Sequence, residues 1–248
     1  MLSVSRLGVT IKRKTIIHDV SFRVGDGRVC ALIGPNGAGK STLVKAVSGI
    51  LPPTSGSVRI NGAPLEITNR RALARSLAYL PQNTTPVPCS VFDAVLLGRK
   101  PYVQWRPAAE DRRLARDVLE EMRLLDLTNA CVTRVSGGEF QKILIARTLV
   151  QGSQVLILDE PINHLDIRNQ IEIMELIATL TRARGLSTII VLHDLNLALR
   201  YADSVLLIRE GRMLFRGSSR DVSPQDLSKA YDIPISIREV EQTRHVLY

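Results

Sequence analysis

The apolar positions at the start of the chain fall into short β-branched runs. "LSVSRLG", "TIIHDVSFRV" and "RVCALI" are separated by charged or glycine-containing turns, the pattern of a small sheet that leads into a core strand. "RVCALI" is apolar enough for a buried parallel strand. After Ser41 the period lengthens: "TLVKAVSGIL" has helical spacing and stops at "PPTSG". "GSVRINGAPL" then reads as a hairpin turning at Asn61 and Gly62. From about Val91 to Val150 helical runs take over, in "VFDAVLLGR", "AEDRRLARDVLEEMRLLDL" and "GGEFQKILIARTLV". Strands return with "QVLILDEP", "STIIVLHD" and "SVLLIREGRML", separated by helices such as "IRNQIEIMELIATLTRARG". The pattern predicts an α/β strand and helix core interrupted by a helical block, without internal repeats or low-complexity segments.

Composition narrows this picture. At 248 residues the chain can bury a substantial core without covalent staples. Cys30, Cys89 and Cys131 are far apart and not in ligand spacing with His18, His164, His193 or His245, which predicts buried or incidental thiols of a reducing cytoplasm rather than a metal or redox centre. The start has no apolar leader, and the longest apolar runs are of strand length, so no membrane span is expected. The net charge of +9 invites nucleic acid or an anionic membrane as partner. The basic residues are scattered, however, and aromatics make up only 4% of the chain, so the excess reads as a solvated surface that favours an anionic inner leaflet, with no nucleic-acid partner.

The candidate chemistry lies in five short islands. Gly34, Pro35, Asn36, Gly37, Ala38, Gly39, Lys40, Ser41 and Thr42 fit the pattern G-x-x-x-x-G-K-[ST] between a strand and a helix. Such a loop turns backbone N–H groups and the positive end of a helix dipole into one concavity, which suits a polyphosphate. Lys40 would reach the β- and γ-phosphates, Ser41 would place its hydroxyl on Mg²⁺, and Thr42 would support the neighbouring phosphate. "VLILDEP" delivers Asp159 to the C-terminal end of a buried strand, where ligands of open α/β sheets bind. Asp159 would support Mg²⁺ and Glu160 would orient or deprotonate an attacking water; taken alone, such a pair is more often a helix cap or solvated turn, and the phosphate loop upstream reverses that reading.

"VSGGEFQK" sets Ser136, Gly137 and Gly138 at another helix start, either a second phosphate site or a serine N-cap with Glu139 in the first turn. Two glycines there weaken the helix unless something must approach closely. His193 ends "STIIVLHD" and Gln82 lies in "AYLPQN" just before the helical block; each by itself reads as structural.

In this order the islands resemble the nucleotide-binding subunit of ABC transporters. Gly34 to Thr42 match Walker A, Gln82 the Q-loop, "VSGGE" the signature, "VLILDEP" Walker B with its glutamate, "NHLD" at Asn163 to Asp166 the D-loop, and His193 the H-loop. The resemblance implies a RecA-like P-loop NTPase core with an N-terminal antiparallel β-subdomain and an inserted α-helical subdomain. One ABC ATPase domain would span the chain, with residues 1–82 and 151–248 as core and 83–150 as the helical part. It implies ATP and Mg²⁺ as ligands, Ser41, Gln82 and Asp159 at the metal, and catalysis by Glu160, His193 and Gln82.

The resemblance further implies a head-to-tail homodimer in which Ser136, Gly137 and Gly138 of one subunit complete the phosphate site of the other. The partners would be integral-membrane permease subunits and, indirectly, a periplasmic or extracellular solute-binding protein. The subunit would lie peripherally on the cytoplasmic face of the cell membrane. Four positions depart from the family pattern: Val135 and Glu139 in the signature, Ile162 after "DEP", and Ile11 where an aromatic normally stacks on adenine. "VFDAVLLGRKPYVQW" resembles the ATPases of importers for iron-siderophore, haem and cobalamin, with a soluble ABC ATPase uncoupled from transport, or import of another metal ion, as alternatives. Phe92, Leu96, Tyr102 and Trp105 would either line a groove for a permease helix or fill the core of the helical block.

Overall fold

The computed structural model describes residues 1–241 and 243–248. Strands β1 (Leu2–Ile11), β2 (Lys14–Val24), β4 (Ser55–Ile60) and β5 (Ala63–Pro64) form an antiparallel sheet in the order β2-β1-β4-β5. The β4–β5 turn is the expected Asn61–Gly62 pair, both at positive φ (51° and 81°), the requirement of a tight hairpin that follows the strand twist.

A second sheet runs β10-β9-β3-β8-β7-β6. Its strands are β3 (Arg28–Ile33), β6 (Leu77–Leu80), β7 (Val155–Asp159), β8 (Ser187–Val191), β9 (Ser204–Arg209) and β10 (Arg212–Ser218), parallel except for β10. Its strands carry near-continuous apolar runs because both faces are covered. On β3, Val29, Ala31 and Ile33 enter one hydrophobic cluster and Cys30 and Leu32 the other. The second cluster lies between the two sheets and takes in Leu43, Val44, Ala46 and Val47 of α1 (Lys40–Val47). The first cluster is filled by α3 (Val91–Leu96), α4 (Ala109–Glu121), α5 (Gly137–Leu149), α6 (Ile167–Ala183), α7 (Leu195–Tyr201) and α8 (Pro224–Tyr231).

The long helix expected from "AEDRRLARDVLEEMRLLDL" is shorter. It stops at Glu121 because Arg123 takes a left-handed backbone (φ 56°), which drops Met122 and Leu124 into the core. Outside the predicted pattern lie α2 (Arg70–Ser76), β6, α8 and a C-terminal hairpin of β11 (Ser236–Val240) and β12 (Thr243–Leu247). In the helical block, Gly98 follows α3, and a Cβ there would lie 2.1 Å from the Arg147 carbonyl oxygen of α5. Buried Arg99 donates to Asp111 Oδ1 (2.9 Å) and to the Val150 carbonyl (3.1 Å).

The β9–β10 turn reaches back to the glycine loop. Gly211 (φ 73°) donates its N–H to the Ala38 carbonyl (2.9 Å) and accepts from the His18 N–H (2.9 Å). A Cβ on Gly211 would lie 1.8 Å from the Ile16 carbonyl oxygen, so three backbones meet where no side chain fits.

Candidate functional site

The glycine loop leaves β3 at Ile33 and feeds α1 at Lys40. Gly34, Gly37 and Gly39 have φ of 148°, 77° and 100°, conformations costly to other residues. Gly34 also has no room for a side chain, since a Cβ would sit 2.1 Å from the Ile208 carbonyl oxygen. Lys40 is only 6% exposed, and its Nζ donates to the loop's own carbonyls, Gly34 O at 2.7 Å and Pro35 O at 3.0 Å. Burial lowers its pKa, against the opposing pull of Glu160 and Asp159. The ammonium is thus held by neutral acceptors beside two carboxylates.

Asp159 closes β7. Its Oδ2 accepts from the Tyr79 hydroxyl of β6 (3.1 Å), while its buried Oδ1 has no partner among the described residues. Burial raises its pKa, tempered by Tyr79 and, more weakly, by Lys45 and Ser41. A buried carboxylate oxygen without a donor is costly unless something else binds it. Such an oxygen beside a hydroxyl at a phosphate loop suits a hydrated hard cation, so these residues fit Mg²⁺.

Glu160 comes next, at φ 55° and 8% exposed. Its Oε2 accepts from Gln82 Nε2 (2.5 Å) and from Asn163 Nδ2, and its Oε1 from His193 Nε2 (2.6 Å). The carboxylate can only accept, which assigns the proton to His193 Nε2. Four segments remote in sequence therefore meet at the C-terminal ends of β3, β6, β7 and β8.

The "VSGGE" island stands apart from these contacts. Ser136 caps α5, with its hydroxyl donating to Glu139 Oε2 (2.7 Å) and accepting from the Glu139 N–H (3.3 Å). The close approach that two glycines suggested is partly internal: a Cβ on Gly138 would lie 2.5 Å from Asn169 Oδ1, at the start of α6. A Cβ on Gly137 would make only an ordinary contact, 3.8 Å from Leu165 Cδ2.

Two contributors escaped sequence reasoning. Asn163 was visible only as part of "NHLD", and Tyr79 only as an aromatic on an otherwise aliphatic strand. Of the groove candidates, Leu96 is buried in the core and Phe92 packs against it. Tyr102 is stacked by the guanidinium groups of Arg99 (3.9 Å) and Arg75 (4.9 Å), and Trp105 is 96% exposed. Ile11 ends β1, paired with Lys14 and 39% exposed.

Residues 17–163 match the family model described as ABC transporter. The iron(3+)-hydroxamate import ATP-binding protein FhuC of Bacillus subtilis is 33% identical over 92% of this chain and 86% of its own length. The hemin import ATP-binding protein HmuV of Bordetella parapertussis is 37% identical over 90% and 88%. A chain from a solved inward-facing transporter described as of metal-chelate type superposes with a TM-score of 0.86 and 26% identity, over 100% of this chain and 97% of that one. The protein belongs to the ABC transporter ATP-binding family. It is an ATP-binding, ATP-hydrolysing transporter subunit. Among the described residues no helix is long and apolar enough to cross a membrane.

Proposed function

We propose that this subunit powers import of an iron chelate, haem or cobalamin through separate integral-membrane permease subunits, as a head-to-tail homodimer on the cytoplasmic face of the membrane. Near full-length similarity to relatives named as import ATP-binding proteins carries this reading. A solute-binding protein outside the membrane would deliver the solute.

Gly34 to Thr42 hold the triphosphate of ATP, with Lys40 leaving the Gly34 and Pro35 carbonyls to reach the β- and γ-phosphates. Ser41, Asp159 and Gln82 would hold Mg²⁺, which when bound would offset charge on the phosphate oxygens. Glu160 takes the proton of the attacking water and His193 fixes the orientation of its carboxylate. Gln82 donates to this carboxylate and precedes the helical block in the chain, which supports a role in reporting the state of the site to the permease. Ser136, Gly137 and Gly138 of the opposing subunit present a helix N-terminus to the same phosphates. Hydrolysis removes that shared ligand and lets the pair reopen.

Two variants test the reading. Trp105→Glu replaces the exposed ring with a charge, three positions after the stacked Tyr102. It should weaken co-purification with the membrane subunit and reconstituted uptake by at least tenfold, about 1.4 kcal/mol, while the isolated subunit keeps its basal hydrolysis. Full uptake by this variant would remove the docking site, and failure of iron chelate, haem and cobalamin alike would remove the solute assignment. Ile11→Tyr should restore a stacking face at the end of β1 and tighten ATP binding by at least about fivefold, or 1 kcal/mol, in a titration. No gain would mean that Ile11 does not lie against the base.

A further inference from the structure

We infer that Tyr231, the last residue of α8, is a positioning residue for Lys40: its hydroxyl anchors the first peptide of the glycine loop and so sets the affinity for ATP. The Gly34 N–H donates to Tyr231 Oη at 3.0 Å, across 197 positions of chain. On the other side of the same Cα, the Gly34 carbonyl accepts from Lys40 Nζ at 2.7 Å. Gly34 is therefore gripped from both peptides, by Tyr231 and by Lys40.

Only one of these grips is compatible with a ligand. Lys40 must give up its carbonyl acceptors to turn toward a phosphate, whereas Tyr231 has no such competing task. Once Lys40 leaves, the Tyr231 hydroxyl is the hydrogen bond that still holds a glycine whose backbone is otherwise permissive. Removing the hydroxyl would strand the N–H of a buried residue and widen the range of loop conformations from which ATP must select.

The surroundings show why one hydroxyl carries this weight. An open cleft of about 230 Å³ is lined by Pro35 to Ala38 on one side and by Ala230 to Asp232 on the other, so the loop is not fully packed against the end of α8. The helix end itself is well fixed. Leu227 and Ala230 are buried, and the Arg209 guanidinium donates to the Lys229 carbonyl and to Asp232 Oδ1 (2.7 Å). Burial pushes the Tyr231 hydroxyl up to about 12, so it stays protonated and neutral at working pH.

This inference rests on the reading of Gly34 to Thr42 as the phosphate site, and the full-length protein can test the two separately. Binding of a fluorescent ATP analogue, KM, kcat and Tm would be measured for wild type, Tyr231→Phe, Leu227→Ala and Lys40→Ala. Tyr231→Phe should raise Kd and KM about three- to tenfold, with the effect falling on KM rather than kcat and with a smaller loss of Tm than Leu227→Ala. Leu227→Ala loosens α8 but keeps the hydroxyl, so it should lower Tm while leaving Kd within about twofold. Unchanged Kd in folded Tyr231→Phe would overturn the inference. So would losses of affinity in the two α8 variants that track their losses of Tm, because the role would then be structural. If Lys40→Ala retains full affinity, the phosphate-site reading fails and Tyr231 loses its role with it; if only Lys40→Ala weakens binding, the site stands and the anchor does not.

Discussion

Glu160→Gln is expected to bind ATP as tightly as the wild type while releasing phosphate at least tenfold more slowly, a barrier increase of about 1.4 kcal/mol or more. The backbone there is left-handed (φ 55°), and glutamine meets the same local cost as glutamate, so the substitution isolates the side chain. What changes is the electrostatics of a crowded acceptor. The carboxylate now takes hydrogen bonds from Gln82, Asn163 and His193, and a carboxamide turns an N–H₂ toward one or more of those donors. It has also lost the basicity needed to draw a proton from water. With Mg-ATP the variant should accumulate as a dimer in size-exclusion chromatography, because the ligand that closes the pair is not consumed. Wild-type phosphate release by the folded variant would remove Glu160 from catalysis.

Lys40→Ala should act on the other half of the cycle. In the free site the ammonium donates to two neutral carbonyls and its pKa is lowered by burial, so deleting it removes a charge that the fold tolerates rather than needs. Thermal stability should therefore change little. With ATP present the same charge meets phosphate oxygens, and a charge-assisted hydrogen bond of about 1.5 to 3 kcal/mol corresponds to a loss of affinity of about 13- to 160-fold in a titration. Equal affinity would place the phosphates elsewhere.

The parts of this design visible along the chain are those with a local cause. β3, β7 and β8 read as strands because a strand covered on both faces must be apolar throughout, and the Gly34 to Lys40 spacing reflects backbone conformations that few other residues adopt. Asp159 and His193 were noticed because they end such strands. The rest carries no such local signal. α2 buries only Leu73, and β11 is almost wholly exposed, so neither carries a hydrophobic period to detect. Leu96 and Phe92 lie on a helix packed against α5, and no spacing rule tells a core helix face from a docking face. Asn163 joins the Glu160 cluster because the chain turns sharply after β7, and the contact between Tyr231 and Gly34 spans most of the protein.

Gly211 carries a warning for anyone mapping this protein by saturation mutagenesis or by comparing homologues. It touches no proposed ligand, yet every side chain there must push the β9–β10 turn off β2 and so disturb the hydrogen bond from the Gly211 N–H to the Ala38 carbonyl. A variant at this turn would lose nucleotide affinity as though a binding residue had been struck. Intolerance at 211 would then be mistaken for recognition, when its cause is the thickness of three stacked main chains.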